Sequence, residues 1–555
     1  MSSQNQLVFL PLGGVGEIGM NLGLYGVGPE NDRKWLIVDF GISFAGPELP
    51  GVDLILPDIR FLEEERSRIA GIVITHAHED HYGALPYIWE MVQAPVYATP
   101  FAAGLLEAKY GVDGEQVDIP VTLVNQGDRL KIGPFDVEFL TMTHSIPEPC
   151  GLALRADGHL VVHSGDWKID PTPGVGKVMD MDRLRALGEE GVDALICDST
   201  NAVRDGISPS EADVQAELTG IIKKAKGRVA VTTFASNVAR IRAIAEAARA
   251  ADREVVVVGR SMLRVIEVAK ELGYLDGLPA FRDEETYGHF PRDKVVMICT
   301  GSQGENRAAM ARIAADNHRQ IGLSAGDTVI FSSRTIPGNE KAVNTVINSL
   351  VSQGVHVVTD RDALVHVSGH PRRGELDQLY SLLKPSRVVP VHGEPLHLAC
   401  HKDFALSKGV TDVKIIKDGD MVRLAPGPLE VIDEAPVGIM VRDGDLIMMP
   451  EEAGVQERRK LSFAGTVVVS LAVTSKGEMH GDIDVVLFGI PEFNRAGEPF
   501  EDLVHEAVYS AVISIPKSRR KDVDVVTEAA RRSARYAVVE HWGKKPLCRA
   551  LVRKV

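Results

Sequence analysis

Short apolar runs alternate with glycine-rich turns over roughly the first 205 residues of the chain. Each run is long enough for a strand of roughly five to eight residues. Each is followed by a polar residue that can bind a metal ion or accept a proton, and such side chains at several strand ends are typical of an α/β active site. The five predicted strands are KWLIVDFG, IAGIVITH, FDVEFLTMTH, LVVHSGD and DALICDST.

From residue 208 the pattern changes to helices that alternate with apolar strands. The stretch SPSEADVQAELTGIIKKA predicts a helix with Ser208 and Pro209 at its cap and first turn, and with acidic residues early and lysines late, as the helix dipole favours. Four further apolar runs end in small hydroxyl or glycine residues, which predicts buried parallel strands in a second α/β unit. These runs are RVAVTTFAS, REVVVVGRS, KVVMICTGS and DTVIFSSR.

Histidines at strand ends return near residue 366, in HVSGH and SRVVPVHGE, so we expect the second unit to be inserted into the first. VRDGD and PEEAGVQERRK indicate a linker, and the stretch from GTVVVSLAV to LVRKV predicts strands around a helix. The expected organisation is a first α/β segment at 1–207, an inserted α/β domain at 208–365, a return segment at 366–435, a linker at 436–460 and a small α+β domain at 461–555.

The composition fits a multidomain globular protein. With 555 residues the chain is too long for one core, since domains usually hold about 100 to 200 residues. No apolar run approaches the roughly 18 to 20 residues that span a bilayer, and the first residues show no basic segment followed by a long apolar stretch. We therefore expect a cytoplasmic, soluble protein without membrane association. The five cysteines are scattered without CxxC spacing, which indicates neither disulfides nor a thiolate zinc site.

The net charge of −16 argues against a general nucleic-acid coat protein. The charge is unevenly distributed, because residues 208–365 hold 20 basic against 19 acidic residues, and residues 516–555 hold 12 against 4. A neutral insert and a basic end can offer a path to a polyanion, although a charged run is also what an ordinary solvated surface shows.

The stretch THAHEDH combines three histidines and an aspartate directly after an apolar run. In extended backbone His76 and His78 point to one side and can grip a single ion. Asp80 and His81 follow where a helix is predicted to begin, and the bend can aim them at a second ion. One short peptide is thus expected to serve two metal ions.

A closed metal site needs ligands from elsewhere in the chain. The candidates at other strand ends are His144 in TMTHSIPE, Asp166 in HSGDWKID and His392 in PVHGE. Together with THAHEDH they predict a metal centre at one edge of the first domain.

These residues carry a resemblance to a known superfamily. HxHxDH with a downstream histidine and aspartate resembles the metallo-β-lactamase fold, in which Asp39 of IVDFG matches the first conserved acid. Asp166 stands where a β-lactamase would carry a cysteine, and a bridging carboxylate suits two ions that grip a phosphodiester.

The second resemblance is to the β-CASP subgroup of nucleic-acid hydrolases. Asp198 in CDSTN, His370 in HVSGH and His392 in PVHGE match its three additional motifs. TTFASN, TGSQGE, SSRTIPGNE and the N-terminal LPLGGVGEIGMN are similar to the ribonuclease J family in particular. The resemblance covers residues 7–435 by motif and residues 436–555 by position and size.

The resemblance implies an α/β protein, with a metallo-β-lactamase αββα sandwich, an inserted α/β β-CASP domain and a small C-terminal α+β domain. His76, His78 and His144 would hold one divalent ion, Asp80, His81 and His392 the other, and Asp166 would bridge them. We expect zinc, with manganese as the alternative. Asp39 would orient a ligand from behind.

The implied reaction is two-metal hydrolysis of a phosphodiester to 5′-phosphate and 3′-hydroxyl ends. Asp80 and His81 would take part through the metal, and His370, oriented by Asp198, would give a proton to the departing 3′-oxygen. The chemistry does not use the 2′-hydroxyl and so does not by itself separate RNA from DNA.

The family resemblance further implies a 5′-to-3′ exonuclease that prefers 5′-monophosphate RNA and can also cleave internally, in RNA decay and maturation, including rRNA processing. Candidate contacts to RNA and its phosphates lie in strand-to-turn stretches that offer hydroxyls, N–H groups and one guanidinium. They are Phe234, Ser302, Ser333, Arg334, His366, Ser368 and Gly369.

Two other functions stay open from the residues alone. One is a β-CASP DNA nuclease, and the other is a scaffold subunit without activity, which the complete ligand set disfavours. Residues 461–555 can dimerise, contact RNA or dock a partner, and the apolar alternation in GTVVVSLAV favours sheet-mediated self-association. The expected partners are single-stranded RNA, further copies of the chain in a homodimer or homotetramer, and an RNA-decay complex.

Overall fold

A computed structural model describes residues 5–113 and 119–555. The chain divides into two compact units. The larger holds the residues up to Ser43 together with Leu56–Gly438, and the smaller holds Phe44–Ile55 together with Ile439–Val555.

Strands in the first part of the chain supply most of two large sheets. They are β1 (Gln6–Gly13), β2 (Leu22–Gly28), β3 (Lys34–Val38), β5 (Ile69–Val73), β6 (Val96–Ala98), β7 (Val121–Leu123), β8 (Arg129–Ile132), β9 (Phe135–Thr141), β10 (Cys150–Ala156), β11 (His159–His163) and β12 (Ala194–Asp198). A further strand, β4 (Leu54–Pro57), belongs to neither of these two sheets. The α-helices are α1 (Arg60–Glu65), α2 (Glu79–Tyr82), α3 (Leu85–Val92), α4 (Pro100–Asp113) and α5 (Met181–Glu190).

The inserted part is a second α/β unit, as its apolar runs predict. Its strands are β13 (Val229–Thr232), β14 (Glu254–Val258), β15 (Val295–Cys299), β16 (Thr328–Phe331) and β17 (His356–Val358). Its α-helices are α6 (Glu211–Lys224), α7 (Val238–Ala250), α8 (Arg260–Glu271), α9 (Ala309–Ala314) and α10 (Glu340–Ser352). The strands form one sheet in the order β14-β15-β13-β16-β17, and all pairs are parallel.

The cap of α6 differs from the prediction by two residues. Ser210, rather than Ser208, is the N-cap: its side chain accepts a hydrogen bond from the backbone of Asp213, whose carboxylate accepts one from the backbone of Ser210. Ser208 is buried and donates its backbone N–H to Glu375 instead. Local pattern cannot reveal such a distant partner.

The return segment completes the first domain. Its elements are α11 (Arg373–Leu383), β18 (Arg387–Val391), α12 (Pro395–Ser407), β19 (Asp412–Val413), β20 (Asp420–Ala425) and β21 (Glu430–Glu434). Strand β18 runs parallel to β12, with Val391 opposite Asp198. The residue after β18, His392, is therefore brought beside the end of β12.

Two sheets pack face to face to form the body of the larger unit. Their orders are β21-β20-β1-β2-β3-β5-β6-β7 and β19-β18-β12-β11-β10-β9-β8. One apolar core fills the space between them, and a second lies between the latter sheet and helices that include α5 and α11. This layering is the predicted αββα sandwich with its α/β insert.

The smaller unit contains β22 (Ile439–Asp443), β23 (Leu446–Met448), α13 (Val455–Ala464), β24 (Thr466–Val473), β25 (Met479–Phe488), α14 (Phe500–Ser514), α15 (Lys517–Arg520), α16 (Val523–Trp542) and β26 (Leu547–Lys554). Every second residue of β24 is buried. One core joins that face of the sheet β25-β24-β26 to α14 and α16, so this end is α+β as predicted.

The stretch 436–460, for which the sequence predicts a linker, forms β22, β23 and the start of α13. Its few apolar residues build a small core with Leu49 and Val52, which lie some 400 positions earlier in the sequence. Single apolar residues among charged ones resemble a linker when their packing partner is so remote. In the described part of the chain, no helix has the length and apolarity that crossing a bilayer requires.

Candidate metal centre

The THAHEDH stretch leaves β5 and turns into α2, which sets the direction of its side chains. His78 keeps extended backbone, with φ −82° and ψ 143°, and caps the helix. His81 lies within α2 and donates its backbone N–H to His78 O at 2.8 Å. The bend between strand and helix therefore points the four candidate ligands at two neighbouring places.

The first place is formed by His76, His78, His144 and Asp166. Nδ1 of His78 lies 3.0 Å from Nε2 of His76 and 3.1 Å from Nε2 of His144. Burial and the neighbouring imidazoles hold the pKa of His76 and of His144 well below the usual value and lower the pKa of His78 to about 4. These imidazoles are therefore neutral at pH 7, the form that binds metal.

The second place is formed by Asp80, His81 and His392. Oδ2 of Asp166 lies 3.3 Å from Nε2 of His81 and 3.4 Å from Nε2 of His392. The same oxygen lies 3.7 Å from Nε2 of His144 in the first place. The Asp166 carboxylate therefore stands between the two groups, at the position for which the family resemblance implies a bridging ligand.

Hydrogen bonds to the Nδ1 atoms of two of these imidazoles determine which ring nitrogens are available to bind a metal ion. His144 Nδ1 donates to Gly369 O at 2.7 Å, and His81 Nδ1 donates to the Asp39 carboxylate at 2.7 Å. Since each Nδ1 holds the proton, the Nε2 lone pair of both rings faces inward. The donor set, inward lone pairs around one carboxylate, fits two divalent cations.

The balance of charge among the carboxylates and imidazoles of this cluster also suits a bound cation. Burial alone would raise the pKa of Asp166, but the charges of His392, His81 and His370 hold it well below its usual range. Burial alone would lower the pKa of His81, and three carboxylates, including Asp166, raise it well above its usual value. The carboxylates therefore require positive charge, which either a proton on His81 or a metal ion can provide.

Asp39 orients His81 and also supports the strand end. It adopts left-handed backbone with φ 66°, and its carboxylate accepts hydrogen bonds from Thr75 N at 2.7 Å and Thr75 Oγ1 at 2.8 Å besides that of His81. The side chain is 1% exposed. Asp39 thus lies where the family resemblance implies an acid that orients a metal ligand by a hydrogen bond.

Asn21 also helps to position the candidate metal ligands, although the sequence pattern did not indicate it. Its amide donates to Asp80 O at 3.1 Å and lies 3.1 Å from Nε2 of His81, and its Oδ1 accepts from Nδ1 of His392 at 2.9 Å. Asn21 ends the glycine-rich turn GGVGEIGMN. Gly14 of that turn has φ +89°, and its carbonyl oxygen accepts the His392 N–H at 2.8 Å, so the turn borders the candidate metal centre.

His370 and Asp198 form a hydrogen-bonded pair beside the cluster. Nδ1 of His370 is 2.7 Å from Oδ2 of Asp198 and 3.8 Å from Oδ2 of Asp166. Burial lowers the pKa of His370, but the two carboxylates outweigh it and the pKa rises to about 9. The Asp198 carboxylate therefore favours the protonated form of His370 beside the candidate metal ligands.

The candidate phosphate contacts of the insert share one sheet edge. Phe234, Ser302 and Ser333 follow the carboxyl ends of the adjacent strands β13, β15 and β16. Ser302 and Ser333 are buried, and Phe234 is half-buried. Ser332 Oγ donates to Val365 O at 2.6 Å, which ties this edge to the loop of His366, Ser368, Gly369 and His370.

Arg334 lies in a group of guanidinium groups that the sequence did not reveal. Burial and the nearby charges of Arg204 and Arg372 lower the pKa of Arg334, while Asp360, 3.7 Å from its Nε, raises it. Ser368 in the adjoining loop accepts hydrogen bonds from Asn201 Nδ2 at 2.8 Å and from His370 N at 3.3 Å. The sequence predicted Arg334 and Ser368 but not the two further arginines, whose positions depend on tertiary contacts.

The sandwich, its insert and this cluster define a metal-dependent hydrolase of the β-lactamase superfamily that carries a β-CASP domain. Family models agree, and cover four segments. They match the β-lactamase superfamily domain at 34–231, the ribonuclease J β-CASP domain at 226–350, the Zn-dependent metallo-hydrolase RNA specificity domain at 354–415 and the ribonuclease J C-terminal domain at 453–555.

Curated relatives identify the family more closely. The chain is 56% identical over 555 residues to ribonuclease J of Sinorhizobium meliloti, covering 100% of this chain and 98% of that protein. It is 40% identical to ribonuclease J of Mycobacterium tuberculosis, over 97% of this chain and 95% of that protein. The chain belongs to the ribonuclease J family and is a metal-dependent ribonuclease, which confirms the resemblance seen in its motifs.

A solved structure shares the fold at low identity. A protein of unknown function from Enterococcus faecalis V583 matches with a TM-score of 0.53 and 16% identity, over 75% of this chain and 100% of that one. The likeness supports the architecture alone.

Proposed function

We propose that this chain hydrolyses single-stranded RNA to 5′-phosphate and 3′-hydroxyl ends. It acts as a 5′-to-3′ exonuclease that prefers a 5′-monophosphate, it can also cleave internally, and it serves RNA decay and maturation. The observation that supports this best is the Asp166 carboxylate between two groups of metal-binding side chains, with the hydrogen-bonded pair of His370 and Asp198 directly beside it. That arrangement suits a phosphodiester whose leaving oxygen needs a proton.

The proposed metal ligands are His76, His78 and His144 for one ion, Asp80, His81 and His392 for the other, and Asp166 for both. Zinc is the proposed metal and manganese the alternative, since both accept mixed imidazole and carboxylate ligands. When bound, two divalent ions supply positive charge that lowers the pKa of water and offsets the charge developing on the phosphoryl oxygens.

The chain's own side chains perform the remaining steps. Asp39 and Asn21 hold His81 and His392 so that their Nε2 atoms face inward. His370 gives its Nε2 proton to the departing 3′-oxygen, because its Nδ1–H is engaged by Asp198 at 2.7 Å and the charge of Asp198 raises the pKa of the ring. Before this transfer, the charge of Asp198 stabilises the imidazolium.

The proposed 5′-monophosphate pocket joins the insert edge to the 366–370 loop. Arg334, with Arg204 and Arg372 nearby, supplies positive charge, and Ser302 and Ser333 supply hydroxyl groups. His366, Ser368 and Gly369 line the same region from the loop. Phe234 is proposed to stack on a base. A terminal monophosphate carries more charge than an internal phosphodiester, so this pocket would favour it.

Three further points are proposals. They are the domain limits given by the sequence, self-association through residues 461–555 as a dimer or tetramer, and membership of an RNA-decay complex. Mass measurement on a chain truncated near residue 455 tests the self-association. If the truncated chain keeps the oligomeric state of the full chain, self-association through this end is refuted.

The functional test compares one RNA with a 5′-monophosphate, a 5′-triphosphate or a 5′-hydroxyl, alongside a matched single-stranded DNA, with zinc or manganese and then EDTA. We expect metal-dependent release of nucleoside 5′-monophosphates, fastest from the monophosphorylated RNA and absent in His81→Ala. Arg334→Ala should reduce the preference for the monophosphate by about tenfold to a hundredfold, the value of a charge-assisted hydrogen bond.

Arg282→Ala is the matched control, because Arg282 pairs with Glu254 on the exposed surface of the same insert. Cleavage of DNA alone would move the chain to a DNA nuclease function. Equal rates on all three RNA ends would refute the end preference while leaving the nuclease activity intact.

A further inference from the structure

A chain of three buried polar side chains lies directly behind the turn that carries Asp198. Ser199 Oγ is 2.8 Å from Nδ1 of His401, and Nε2 of His401 is 2.6 Å from the hydroxyl of Tyr380. All three side chains are at most 5% exposed. They lie on the side of the sheet that faces the helices, and the mechanism above does not use them.

The protons along this chain can be assigned from its chemistry. Burial raises the pKa of Tyr380 well above its usual value, so the phenol keeps its proton, and burial lowers the pKa of His401 to about 4, so the imidazole is neutral. A buried phenol needs an acceptor, so Tyr380 donates to Nε2 of His401. His401 then donates from Nδ1 to Ser199 Oγ, and Ser199 donates to Cys197 O at 3.3 Å. Every donor is thereby satisfied.

The three side chains come from three segments that each carry a residue of the active site. Ser199 directly follows Asp198. Tyr380 belongs to α11, which begins just after the loop of His370, and His401 belongs to α12, which begins just after the turn of His392. The hydrogen-bonded chain therefore joins the supports of all three loops.

We propose that Tyr380 and His401 are positioning residues that act through Ser199 to hold the turn of Asp198, and so keep its carboxylate on Nδ1 of His370. Successive residues at a strand end point to opposite faces of the sheet, so fixing Ser199 fixes the direction of Asp198. The Asp198 carboxylate has little freedom, since Oδ2 is 2.7 Å from His370 and Oδ1 accepts from Thr200 N at 2.8 Å. The inference rests on the proposed part of Asp198 and His370 in proton donation.

Three substitutions grade the loss of this support. Tyr380→Phe removes one hydroxyl at constant volume. His401→Asn can still donate to Ser199 but not reach Tyr380, and His401→Leu removes both contacts. We expect Tyr380→Phe and His401→Leu to lower kcat on 5′-monophosphate RNA by about tenfold with little change in KM, because a small displacement of a catalytic group is costly. His401→Asn should recover part of the loss.

A matched control separates this role from a general packing defect. Tyr287 is also a buried tyrosine, in the insert, whose hydroxyl donates to Gly322 O at 3.1 Å. Tyr287→Phe should leave kcat unchanged. Thermal unfolding of each variant identifies any that fail to fold, in which case Tyr380→Phe, the mildest change, replaces His401→Leu in the comparison.

The decisive comparison is a double-mutant cycle with Asp198→Asn. If Tyr380 and His401 act through Asp198, His401→Leu will lower kcat in the native background but have no further effect on Asp198→Asn. An equal loss in both backgrounds, or a change in KM alone, overturns the inference and leaves the role of Asp198 intact. A native kcat for Asp198→Asn itself overturns the proposed proton donation, and the inference with it.

Discussion

Replacing Asp39 with asparagine isolates the contribution of one hydrogen bond to the metal centre. The left-handed backbone of residue 39, with φ 66°, is tolerated by asparagine as well as by aspartate. The amide also has nearly the shape of the carboxylate, so the substitution changes hydrogen bonding and charge without opening a cavity.

The cost follows from the three donors around the carboxylate. One oxygen accepts from Thr75 N at 2.7 Å, and the other accepts from His81 Nδ1 at 2.7 Å and from the Thr75 hydroxyl at 2.8 Å. Whichever way an amide is turned, its NH₂ group meets either the Thr75 N–H or the His81 N–H. A lost hydrogen bond to a charged group is worth about 1.5–3 kcal/mol. The affinity of the ion held by His81 should therefore fall by about tenfold to a hundredfold.

The assay is competition between the protein and a chelator of known zinc affinity, with kcat measured on the same samples. Asp39→Asn should bind one ion as the native chain does and the other about tenfold to a hundredfold more weakly, with activity recovered at high zinc. Asp157→Asn is the control, since Asp157 also has positive φ but lies exposed in a turn. Native affinity for both ions in Asp39→Asn would refute the role assigned to Asp39.

Asp166→Asn should lower both metal content and kcat by more than about a hundredfold, because one carboxylate serves both groups; metal analysis with an RNA cleavage assay checks this. Glu211→Gln should lower the free energy of unfolding, measured by urea titration, by about 3–5 kcal/mol. Arg240 and Glu211 form a buried ion pair with 2.9 Å between Nη2 and Oε2, and the substitution would leave the arginine without its charge partner. Burial and nearby Glu17 raise the pKa of Asp418 to about 7. Because this pKa is higher in the folded than in the unfolded chain, protonation of Asp418 stabilises the fold at low pH, and that stability is lost as the pH rises through 7. Asp418→Asn, which cannot ionise, should therefore raise the unfolding temperature more at pH 8 than at pH 5.

Local sequence pattern was sufficient for much of the architecture. The parallel strands β13 to β16 could be predicted because each is a short apolar run that ends in small residues, and the return of strand-end histidines near residue 366 indicated the insertion. THAHEDH predicted a two-ion cluster because ligand spacing on one peptide is a local property. Asp166 and His392 could be added because both end apolar strands.

Features that depend on distant partners could not be predicted in this way. Asn21 contacts residues 59 to 371 positions away, and an asparagine after a glycine turn has no spacing that indicates such contacts. The segment Phe44–Ile55 packs with residues near Val441, a contact that gives residues 436–460 strands which their local pattern does not indicate. Arg204 and Arg372 join Arg334 only through the tertiary fold, and His401 has no local pattern that links it to Ser199.

We propose that one metal ion lies on each side of Asp166. Anomalous diffraction at the zinc edge, from crystals of the native chain grown with zinc, tests it most directly. We expect two peaks about 3.5–4 Å apart, one within bonding distance of His76, His78 and His144, the other of Asp80, His81 and His392, and both bound to Asp166. A single peak, or peaks that do not share Asp166, would contradict the account.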